Sequence, residues 1–546
     1  MVRLRPVVGI LWAPATLEIT FMTDVERQPT AMTHRQILVV LTGLMLGLFL
    51  AALDQTIVAT ALPTIVGEFG GLDHLSWVVT AYLLASTVTS PLYGKISDLY
   101  GRKVVFQTAI GLFLAGSILC GLSQNMAQLI AFRAIQGLGA GGLIVMALTI
   151  IGDVVSPRER GRYQGYFGAV FALASIAGPL LGGWFVDNLT WRWVFYINLP
   201  LGLVALFVTG AVLNLPFHRR EHRIDFLGAG LLVGGVGALL LVTVWGGREY
   251  AWDSPVILGL ALVGVALVAL FLWWEARTPE PILPLRLFRD RTFALTSAAG
   301  FVVGLAMFGG IIFLPLFMQI VVRASATNSG LLLLPMMAGI ITTSVGSGRL
   351  ISRTGRYKIY PVIGTLLATL ALFLLSTMGV GTTLPVASVY MLILGAGLGL
   401  VMQVLVLAVQ NSVQPRDLGV ATSASTFFRS LGGSFGTSLF GAIFTSQVAS
   451  NIARNLPGAD LAGTDLTSSP GVIAQLPEAV RIGVIQAFAD STSTVFLAAV
   501  PFALAAFLVV LLLPELPLRE QSHVGSLEGG PGVGDSTDGE GLIAQL

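Results

Sequence analysis

Long apolar stretches alternate with short polar connections along most of the chain. A helix needs about 20 apolar residues to cross the hydrocarbon of a bilayer, and windows of that kind occur fourteen times. The pattern therefore predicts an all-α membrane protein with fourteen transmembrane helices. Their expected starts are Gln36, Ser76, Val104, Leu129, Gly161, Trp193, Ile224, Pro255, Phe293, Asn328, Ile359, Val386, Gly419 and Ser493, and the last is expected to end near Leu513.

Basic residues concentrate in every second connection. The connections after even-numbered spans hold eighteen Lys and Arg, and those after odd-numbered spans hold five. Because cytoplasmic loops are enriched in basic residues, we expect the even-numbered connections and both termini to lie in the cytoplasm. The protein is expected to be a multi-pass protein of the cell membrane.

Two stretches of the sequence occur twice. Gly94–Lys103 is similar to Gly348–Tyr357, 254 residues later, and Ser156–Gly161 is similar to Gln414–Gly419, 258 residues later. Repeats at so constant an offset indicate two related six-helix halves, spans 1–6 and spans 9–14. Spans 7 and 8 have no counterpart and are expected to form an inserted hairpin. Two parallel halves around a central site are typical of a transporter.

This organisation divides the chain into five parts. We expect an N-terminal cytoplasmic segment, in which Met22 and Met32 are alternative starts, then two bundles on either side of the hairpin, and a disordered cytoplasmic tail. The expected boundaries are 1–35 for the N-terminal segment, 36–214 for the first bundle, 215–275 for the hairpin, 276–513 for the second bundle and 514–546 for the tail.

The composition excludes several classes of protein. With 30 Lys and Arg and 28 Asp and Glu, only 11% of the 546 residues are charged, while 55% are hydrophobic and the mean hydropathy is +0.85, so a soluble protein is excluded. The net charge of +2 is spread along the chain, which excludes a basic surface for nucleic acid. The single cysteine, Cys120, excludes an internal disulfide and a cysteine metal cluster. None of the three lysines precedes Ser or Thr, which excludes a Walker A P-loop.

Three ionisable residues lie deep within predicted spans: Asp54 in span 1, Arg133 in span 4 and Arg429 in span 13. A charge inside the membrane is costly unless it is paired or hydrated, and it marks a functional site by default. A carboxylate set between the opposing effects of burial and a nearby arginine can bind and release a proton. Asp54 and Arg133 are therefore candidates for a proton-coupling site, or else for a fixed ion pair that pins helices together.

Arg429 allows three interpretations. It can face an anionic substrate, act on Asp54 from across a cavity, or extend its side chain to the membrane interface. The sequence leaves all three open.

Two motifs match enzyme patterns in an unsuitable context. Arg133–Gly142 contains G-x-G-x-x-G, but a dinucleotide site needs this pattern between a strand and a helix. Its glycines instead allow another helix to pack closely beside Arg133. His218–His222 matches the H-x-x-E-H pattern of zinc peptidases but lies in a short basic connection. We therefore expect neither an enzyme nor a metal site.

Four motifs in order resemble those of a known family. They are Leu53–Pro63 in span 1, with Ala59 where an Asn is usual, Gly94–Lys103 after span 2, Arg133–Gly142 in span 4, and Ala174–Gly183 in span 5, with Ala174 in place of its first Gly. Between residues 36 and 513 the chain resembles the major facilitator superfamily, and within it the fourteen-helix drug:proton antiporters of the EmrB/QacA type.

The resemblance implies a role for each motif. Asp54 and Arg133 would couple transport to protons. Asp98 is expected to meet a helix N-terminus and neighbouring arginines when the cytoplasmic side is closed. The second copy of its loop has Ser352 at this position, so the latch is expected on one side only. The residues of the implied conformational latch are Gly94, Asp98, Gly101, Arg102 and Lys103.

The implied antiporter motif in span 5 consists of Gly178, Pro179, Gly182 and Gly183. Proline removes a backbone donor and kinks a helix. We expect these residues to set the helix angle at the interface between the halves, or simply to allow close packing.

These observations predict a secondary exporter that works by alternating access. Proton-motive force would drive the efflux of amphipathic or lipophilic drugs and other toxic organic compounds in exchange for protons, without a cofactor. The expected partners are small-molecule substrates, protons and the lipid bilayer, and the protein is expected to act as a monomer. The polar side chains expected to face the substrate cavity are Gln55, Gln136, Gln319, Gln403, Gln410 and Arg429.

Two alternatives stay open. An exporter dedicated to one compound, such as an antibiotic, a siderophore or a lipid, would carry the same motifs. A non-transporting membrane sensor or scaffold would need an appended signalling domain or an abandoned proton site, and neither is found in the sequence.

Overall fold

The described part of the chain is almost wholly helical. The computed structural model describes residues 34–69, 75–213, 225–247, 249–323, 331–456 and 476–519. Within these ranges the only β-type pairing is a bridge between Gly246 and Tyr250. Most of the expected N-terminal segment, the tail from residue 520 onwards and the connection at His218–His222 lie outside the described residues.

The helices of the first half follow the predicted spans closely. The sixth predicted span is divided at Ile197 into a short helix and a longer one. The helices are α1 His34–Phe69, α2 Leu75–Tyr100, α3 Arg102–Leu122, α4 Met126–Val154, α5 Pro157–Asn188, α6 Trp193–Tyr196 and α7 Asn198–Val212.

The remainder of the described chain continues in the same manner, with 3-10 turns at Leu285–Arg289 and Pro415–Asp417. The α-helices are α8 Phe226–Trp245, α9 Pro255–Glu275, α10 Arg291–Ile320, α11 Leu334–Thr354, α12 Ile359–Leu375, α13 Leu384–Ser412, α14 Leu418–Asn455 and α15 Glu478–Leu511.

Not every one of these helices is apolar enough to be assigned to the membrane on hydropathy alone. Among the described residues, ten segments are long and apolar enough to cross a bilayer, with α6 and α7 taken as one segment. The helices α2, α11 and α14 are not among these segments, and α12 is apolar but shorter. The count of fourteen membrane spans therefore stays a prediction.

Each half has a hydrophobic core of its own. One core consists of buried residues between 40 and 213, and includes Phe106 and Phe113. The other consists of buried residues between 299 and 510, to which the first half adds Ala172 alone among the described residues. Because apolar burial is the dominant stabilising term, each half is held together largely by its own helices.

Helices α8 and α9 pack on each other beside both halves. α8 contacts α2 of the first half and α14 of the second, and its Leu232 and Leu240 are buried near Val88 and Phe427. α9 is apolar all round and mostly exposed, with Leu262 at 72%, which suits a helix that faces lipid. Their origin as an insertion between the halves stays a prediction.

Gly101 and Gly355 occupy equivalent positions in the two copies of the repeated loop. Their φ angles are 91° and 72°, a region that residues with a Cβ rarely adopt. Gly101 alone separates α2 from α3, and Gly355 ends α11. Both copies of the repeat thus make their sharp turn at the same glycine.

Candidate functional site

Asp54 and Arg133 form a buried ion pair between α1 and α4. Arg133 Nη1 lies 2.5 Å from Asp54 Oδ2, and the two side chains are 1% and 0% exposed. Arg133 Nε also donates to the carbonyl of Val78 in α2, at 3.1 Å, and the guanidinium lies 4.2 Å from the ring centroid of Tyr82. The pair is therefore held by three helices.

Side-chain amides hold the other oxygen of Asp54. Asp54 Oδ1 accepts hydrogen bonds from Gln136 Nε2 at 2.7 Å and from Asn198 Nδ2 at 3.1 Å. Both amides also donate to Ser117 Oγ, at 2.7 and 3.0 Å. All of these side chains are buried. The donors stabilise a charged carboxylate where water does not reach it. We call Asp54, Arg133, Gln136, Asn198 and Ser117 the Asp54 network.

The glycines after Arg133 explain how this network is assembled. A Cβ at Gly137 or Gly141 would overlap the backbone of α2 at Tyr82 and Ser86, and a Cβ at Gly139 would overlap the backbone of α3. Small residues allow such close helix contacts. α4 is thereby packed closely between α2 and α3; the sequence predicted close packing beside Arg133 but not the helices involved.

A cavity of about 990 Å³ lies between the two halves. Its wall comes from α1, α2, α4 and α5 on one side, from α10, α11, α13 and α14 on the other, and from the end of α8. Arg133 and Tyr82 reach this wall, whereas Asp54 is fully buried behind it. Arg133 therefore connects the Asp54 network to the cavity wall.

The cavity extends towards one end of the helices. Its wall includes Gly247 and Trp252, in the connection after α8. In the same connection, Glu249 Oε1 accepts a hydrogen bond from Nε1 of Trp77, near the start of α2, at 3.0 Å. We call this end the cavity end.

Two glycine contacts join the halves at the opposite end, which we call the closed end. Gly94 of α2 lies against Gly419 and Ser423 of α14, and Gly348 of α11 lies against Gly161 of α5. In each case a Cβ would overlap the backbone opposite. Gly94 and Gly348 begin the two copies of one repeated stretch, and Gly161 and Gly419 end the two copies of the other. Each copy of the first stretch therefore contacts the copy of the other stretch that belongs to the opposite half.

An ionic cluster surrounds the Gly94 contact. Arg102 lies 2.6 Å from Asp98 Oδ1 and 2.7 Å from Asp153 Oδ2, and all three side chains are largely buried. Asp98 lies beside Gly419 in the first turn of α14, where the helix dipole favours a negative charge. The predicted meeting of Asp98 with a helix N-terminus and an arginine is thus seen in the geometry.

A second ion pair lies next to this cluster. Both Nη atoms of Arg286 donate to the carboxylate of Asp417, at 2.7 Å each. The hydrogen bond with Asp417 raises the pKa of Arg286. Asp417 immediately precedes α14, so this pair holds the start of the same helix.

The Gly348 contact is built differently. Ser352 takes the place of Asp98, and its hydroxyl donates to the carbonyl of Gly348 in its own helix, at 3.0 Å. Arg158 Nε approaches the Ser352 carbonyl at 3.4 Å. The second copy of the loop thus has a neutral hydroxyl where the first copy has the carboxylate of Asp98.

The chain after α15 crosses the closed end as an extended strap, residues 513–519. The Tyr357 hydroxyl donates to one strap carbonyl and accepts from one strap amide, at 3.1 Å each. Burial raises the pKa of Tyr357, so the phenol keeps its proton. Asn411 makes two further hydrogen bonds to the strap. The Arg158 amide of the first half donates to the carbonyl of Arg519, at 3.3 Å, so the strap connects both halves.

Comparison with known proteins shows the family. The sequence matches the model of the Major Facilitator Superfamily at residues 44–226 and 224–437. The chain belongs to this superfamily. It is 44% identical over 407 residues to the Multidrug transporter protein MdtP of Bacillus subtilis, which covers 74% of this chain and 75% of that protein. It is 36% identical over 484 residues to Multidrug resistance protein 3 of the same organism, covering 87% and 94%.

A solved transporter of the superfamily shares the fold. The structure of the proton:xylose symporter XylE matches with a TM-score of 0.59 over 90% of this chain and 99% of that chain. At 14% identity this similarity concerns the fold alone. Superfamily members are transporters and not enzymes, in agreement with the sequence prediction.

The structure divides the six polar residues predicted to face the transporter's cavity. Gln136 belongs to the Asp54 network, and Gln410 is buried at the closed end, where it bonds to α4 and α14. Gln319 lies half-buried at the end of α10, away from the cavity wall. The rotation of each helix about its axis decides such positions, and spacing along one sequence does not determine it. The residues that line the cavity are Gln55, Gln403 and Arg429.

Two of the implied motifs need correction. Lys103 has a partner within the first half, because its Nζ donates to the carbonyl of Gly210, at 2.7 Å. Gly178 and Gly182 also lie within the first half, where a Cβ would overlap Thr56 and Thr60 of α1. The glycine contacts between the halves are made elsewhere on α5.

The rest of the span-5 motif does not interrupt its helix. α5 continues through Pro179, from Pro157 to Asn188, and a Cβ on Gly183 would meet nothing within 4 Å. The motif therefore serves close packing of α1 on α5, the simpler of the two roles considered from the sequence.

Sequence reasoning missed Ser117, Asn198 and Asp153. It considered ionisable residues deep in a span, and so passed over neutral amides and hydroxyls and an aspartate near a helix end. Asn198, two residues before Pro200 in an otherwise apolar span, carried a usable signal, because a buried amide needs hydrogen-bond partners.

Proposed function

We propose that this transporter exports amphipathic organic compounds in exchange for protons, by alternating access and with fourteen membrane spans of the EmrB/QacA type. The observation that carries the proposal is the buried Asp54–Arg133 pair directly behind the wall of a large cavity. Relatives named as multidrug proteins support the substrate class.

The geometry suggests how a proton acts on the cavity. A proton on Asp54 removes the charge that balances Arg133, and breaking a buried pair in this way costs about 3–5 kcal/mol. Arg133 then gains by moving towards water or an anion in the cavity that it lines. Proton and substrate thereby act on the same guanidinium, which is the physical basis of exchange.

The described arrangement corresponds to one of two access states. In this proposal the closed end faces the cytoplasm, as the basic connections indicate, and the cavity faces outwards. Opening the other way requires both glycine contacts to separate and the cluster around Arg102 to part from the first turn of α14.

Proton coupling is tested in proteoliposomes with an acidic interior and three fluorescent probes of one skeleton: anionic dansylglycine, neutral dansylglycinamide and cationic monodansylcadaverine. We expect gradient-dependent accumulation of at least one probe by the native protein. Asp54→Asn is expected to reduce it to the level of protein-free liposomes, while exchange of the probe down its own gradient persists.

Glu68→Gln is the matched control. Glu68 is a carboxylate on the same helix, bonded to Trp191 Nε1 at 2.7 Å and outside the Asp54 network, and its removal is expected to leave transport unchanged. Equal transport by Asp54→Asn and the native protein would show that the pair only pins helices. Accumulation of a single compound from a wider set of amphiphiles would support a dedicated exporter instead of a multidrug one.

A further inference from the structure

Arg429 lines the cavity without a counter-ion. Its side chain forms part of the wall contributed by α14. It makes no ion pair and no hydrogen bond with any residue in the described ranges. An unpaired charge at membrane depth is costly, so a ligand is the natural source of its partner.

Arg429 lies well inside its helix and away from the closed end. It lies eleven residues after Leu418, the first residue of α14 at the closed end, which is about 16 Å along the axis at 1.5 Å per residue. Of the three interpretations, the structure agrees with those that place Arg429 at the cavity, because the side chain lines the cavity wall.

Helix packing, and not an acidic partner, fixes the backbone of Arg429. A Cβ at Gly304 of α10 would overlap the Arg429 carbonyl, and a Cβ at Gly300 would lie 3.9 Å from the Arg429 Cβ. α10 and α14 thus meet closely at this level, which leaves the guanidinium facing the cavity. The backbone that carries the guanidinium is therefore positioned before any ligand binds.

The charge balance of the cavity wall is positive. Among the described residues, the charged side chains of the wall are Arg133 and Arg429, and no Asp or Glu lines it. Asp54 neutralises Arg133 at 2.5 Å. Arg429 therefore sets the net charge of the wall, which attracts anions and repels cations in a site of low dielectric constant.

The surroundings of Arg429 suit the apolar body of an amphiphile. Four methionines from α10, α11 and α13 line the same half of the cavity. Methionine side chains are flexible and apolar, and they adapt to ligands of different shape. The methionines are Met307, Met336, Met337 and Met402.

We propose that Arg429 is the anion-binding group of the cavity, and that the compounds carried are amphiphiles with a carboxylate or phosphate group. An arginine binds such groups through two parallel hydrogen bonds. This inference rests on the proposed export function and specifies its substrate class.

A binding experiment without a proton gradient tests the inference. The purified native protein, in nanodiscs of uncharged phosphatidylcholine, is titrated with the three dansyl probes, and probe fluorescence reports binding. We expect dansylglycine to bind roughly tenfold or more tightly than dansylglycinamide, as one charge-assisted hydrogen-bond pair allows, and monodansylcadaverine to bind least.

Variants assign that preference to Arg429. Arg429→Gln is expected to abolish the preference for dansylglycine and leave the affinity for dansylglycinamide within about twofold. Arg429→Lys keeps the charge but not the planar fork, and is expected to retain part of the preference. Arg349→Gln removes an exposed arginine at the closed end and controls for charge change alone. Gel filtration and thermal unfolding confirm that each variant folds.

The outcomes separate this inference from the export function. Equal affinity for the three probes, absence of dansylglycine binding, or an unchanged preference in Arg429→Gln would overturn it. Gradient-driven accumulation of the cationic probe with no preference for the anion would also overturn it, and would leave proton-driven export standing. Anion binding that depends on Arg429, without gradient-driven transport, would uphold this inference and contradict the export function.

Discussion

Gly94 and Gly348 occupy equivalent positions in two repeats and make equivalent contacts, yet different chemistry surrounds them. The first contact is flanked by the cluster of Asp98, Arg102 and Asp153. The second has Ser352 in place of the aspartate and is crossed by the strap. The close approach of two backbones is thus common to both copies, whereas the cluster of Asp98, Arg102 and Asp153 accompanies only the first.

The comparison distinguishes the steric requirement that both contacts share from the ionic interactions that surround the first contact. Both contacts need a residue without a Cβ, because each copy of the loop approaches the backbone of the opposite half too closely to leave room for one. The close approach of the two backbones does not itself require a charged side chain. We expect the first contact to respond to the loss of a charge and the second to respond mainly to added volume.

The largest expected effect breaks the first contact. Arg102→Ala leaves Asp98 and Asp153 buried without a counter-ion, which we expect to destabilise the closed state by about 3–5 kcal/mol. Distances between spin labels on Tyr100→Cys and Arg416→Cys, measured by electron paramagnetic resonance, report the separation of α2 from the start of α14. The native Cys120 is buried and need not be removed.

Arg356→Ala is the matched control, since Arg356 takes the place of Arg102 in the second repeat and is exposed. We expect its effect to stay within about 0.5 kcal/mol. If the two alanine variants opened the closed end equally, the distinction between an ionic and a steric contact would be refuted.

An intermediate effect is expected from added volume at the second contact. Gly348→Ala places a methyl group against the backbone of Gly161, and overpacking of this kind costs about 1–3 kcal/mol. Labels on Arg162→Cys and Arg349→Cys should move apart. Gly346→Ala on the same helix meets no atom within 4 Å and should leave the distance unchanged, whereas a shift of the same size in both would contradict a local steric cause.

The smallest expected effect makes the second contact resemble the first. Ser352→Asp places a carboxylate beside Arg158, whose Nε lies 3.4 Å from the Ser352 carbonyl. A partly exposed ion pair contributes about 0.2–1 kcal/mol, so the closed state should gain slightly. The same pair of labels should show a narrower distance distribution, and Ser352→Asn, which adds the shape without the charge, should not.

The repeats were the most informative part of the sequence for the closed end. Gly94–Lys103 and Ser156–Gly161 each have a copy in the second half, and the structure joins these copies crosswise. The sequence also offered an ion pair between Asp54 and Arg133 as one of two interpretations, and the structure contains that pair. The repeats indicated two related halves, but not that their copies meet crosswise.

Other features depend on rotation and on small polar groups. Gln55 and Gln410 are both glutamines within predicted spans, yet one lines the cavity and the other is buried at the closed end. Asn198 joins the Asp54 network only because α7 presents that face to α1 and α3. If a helix is rotated about its axis by one residue position, different side chains face the cavity, but the hydropathy of the span does not change. The composition of the span therefore does not reveal the rotation.

The separate hydrophobic cores of the two halves have a consequence for how such a protein evolves. All members of the Asp54 network belong to helices of the first half, and Arg429 belongs to the second. Recombination between related genes near residue 225 would exchange one half and leave the packing of the other nearly intact. In the proposed mechanism, proton coupling and the binding of the substrate anion would therefore lie in different halves, which recombination can exchange separately.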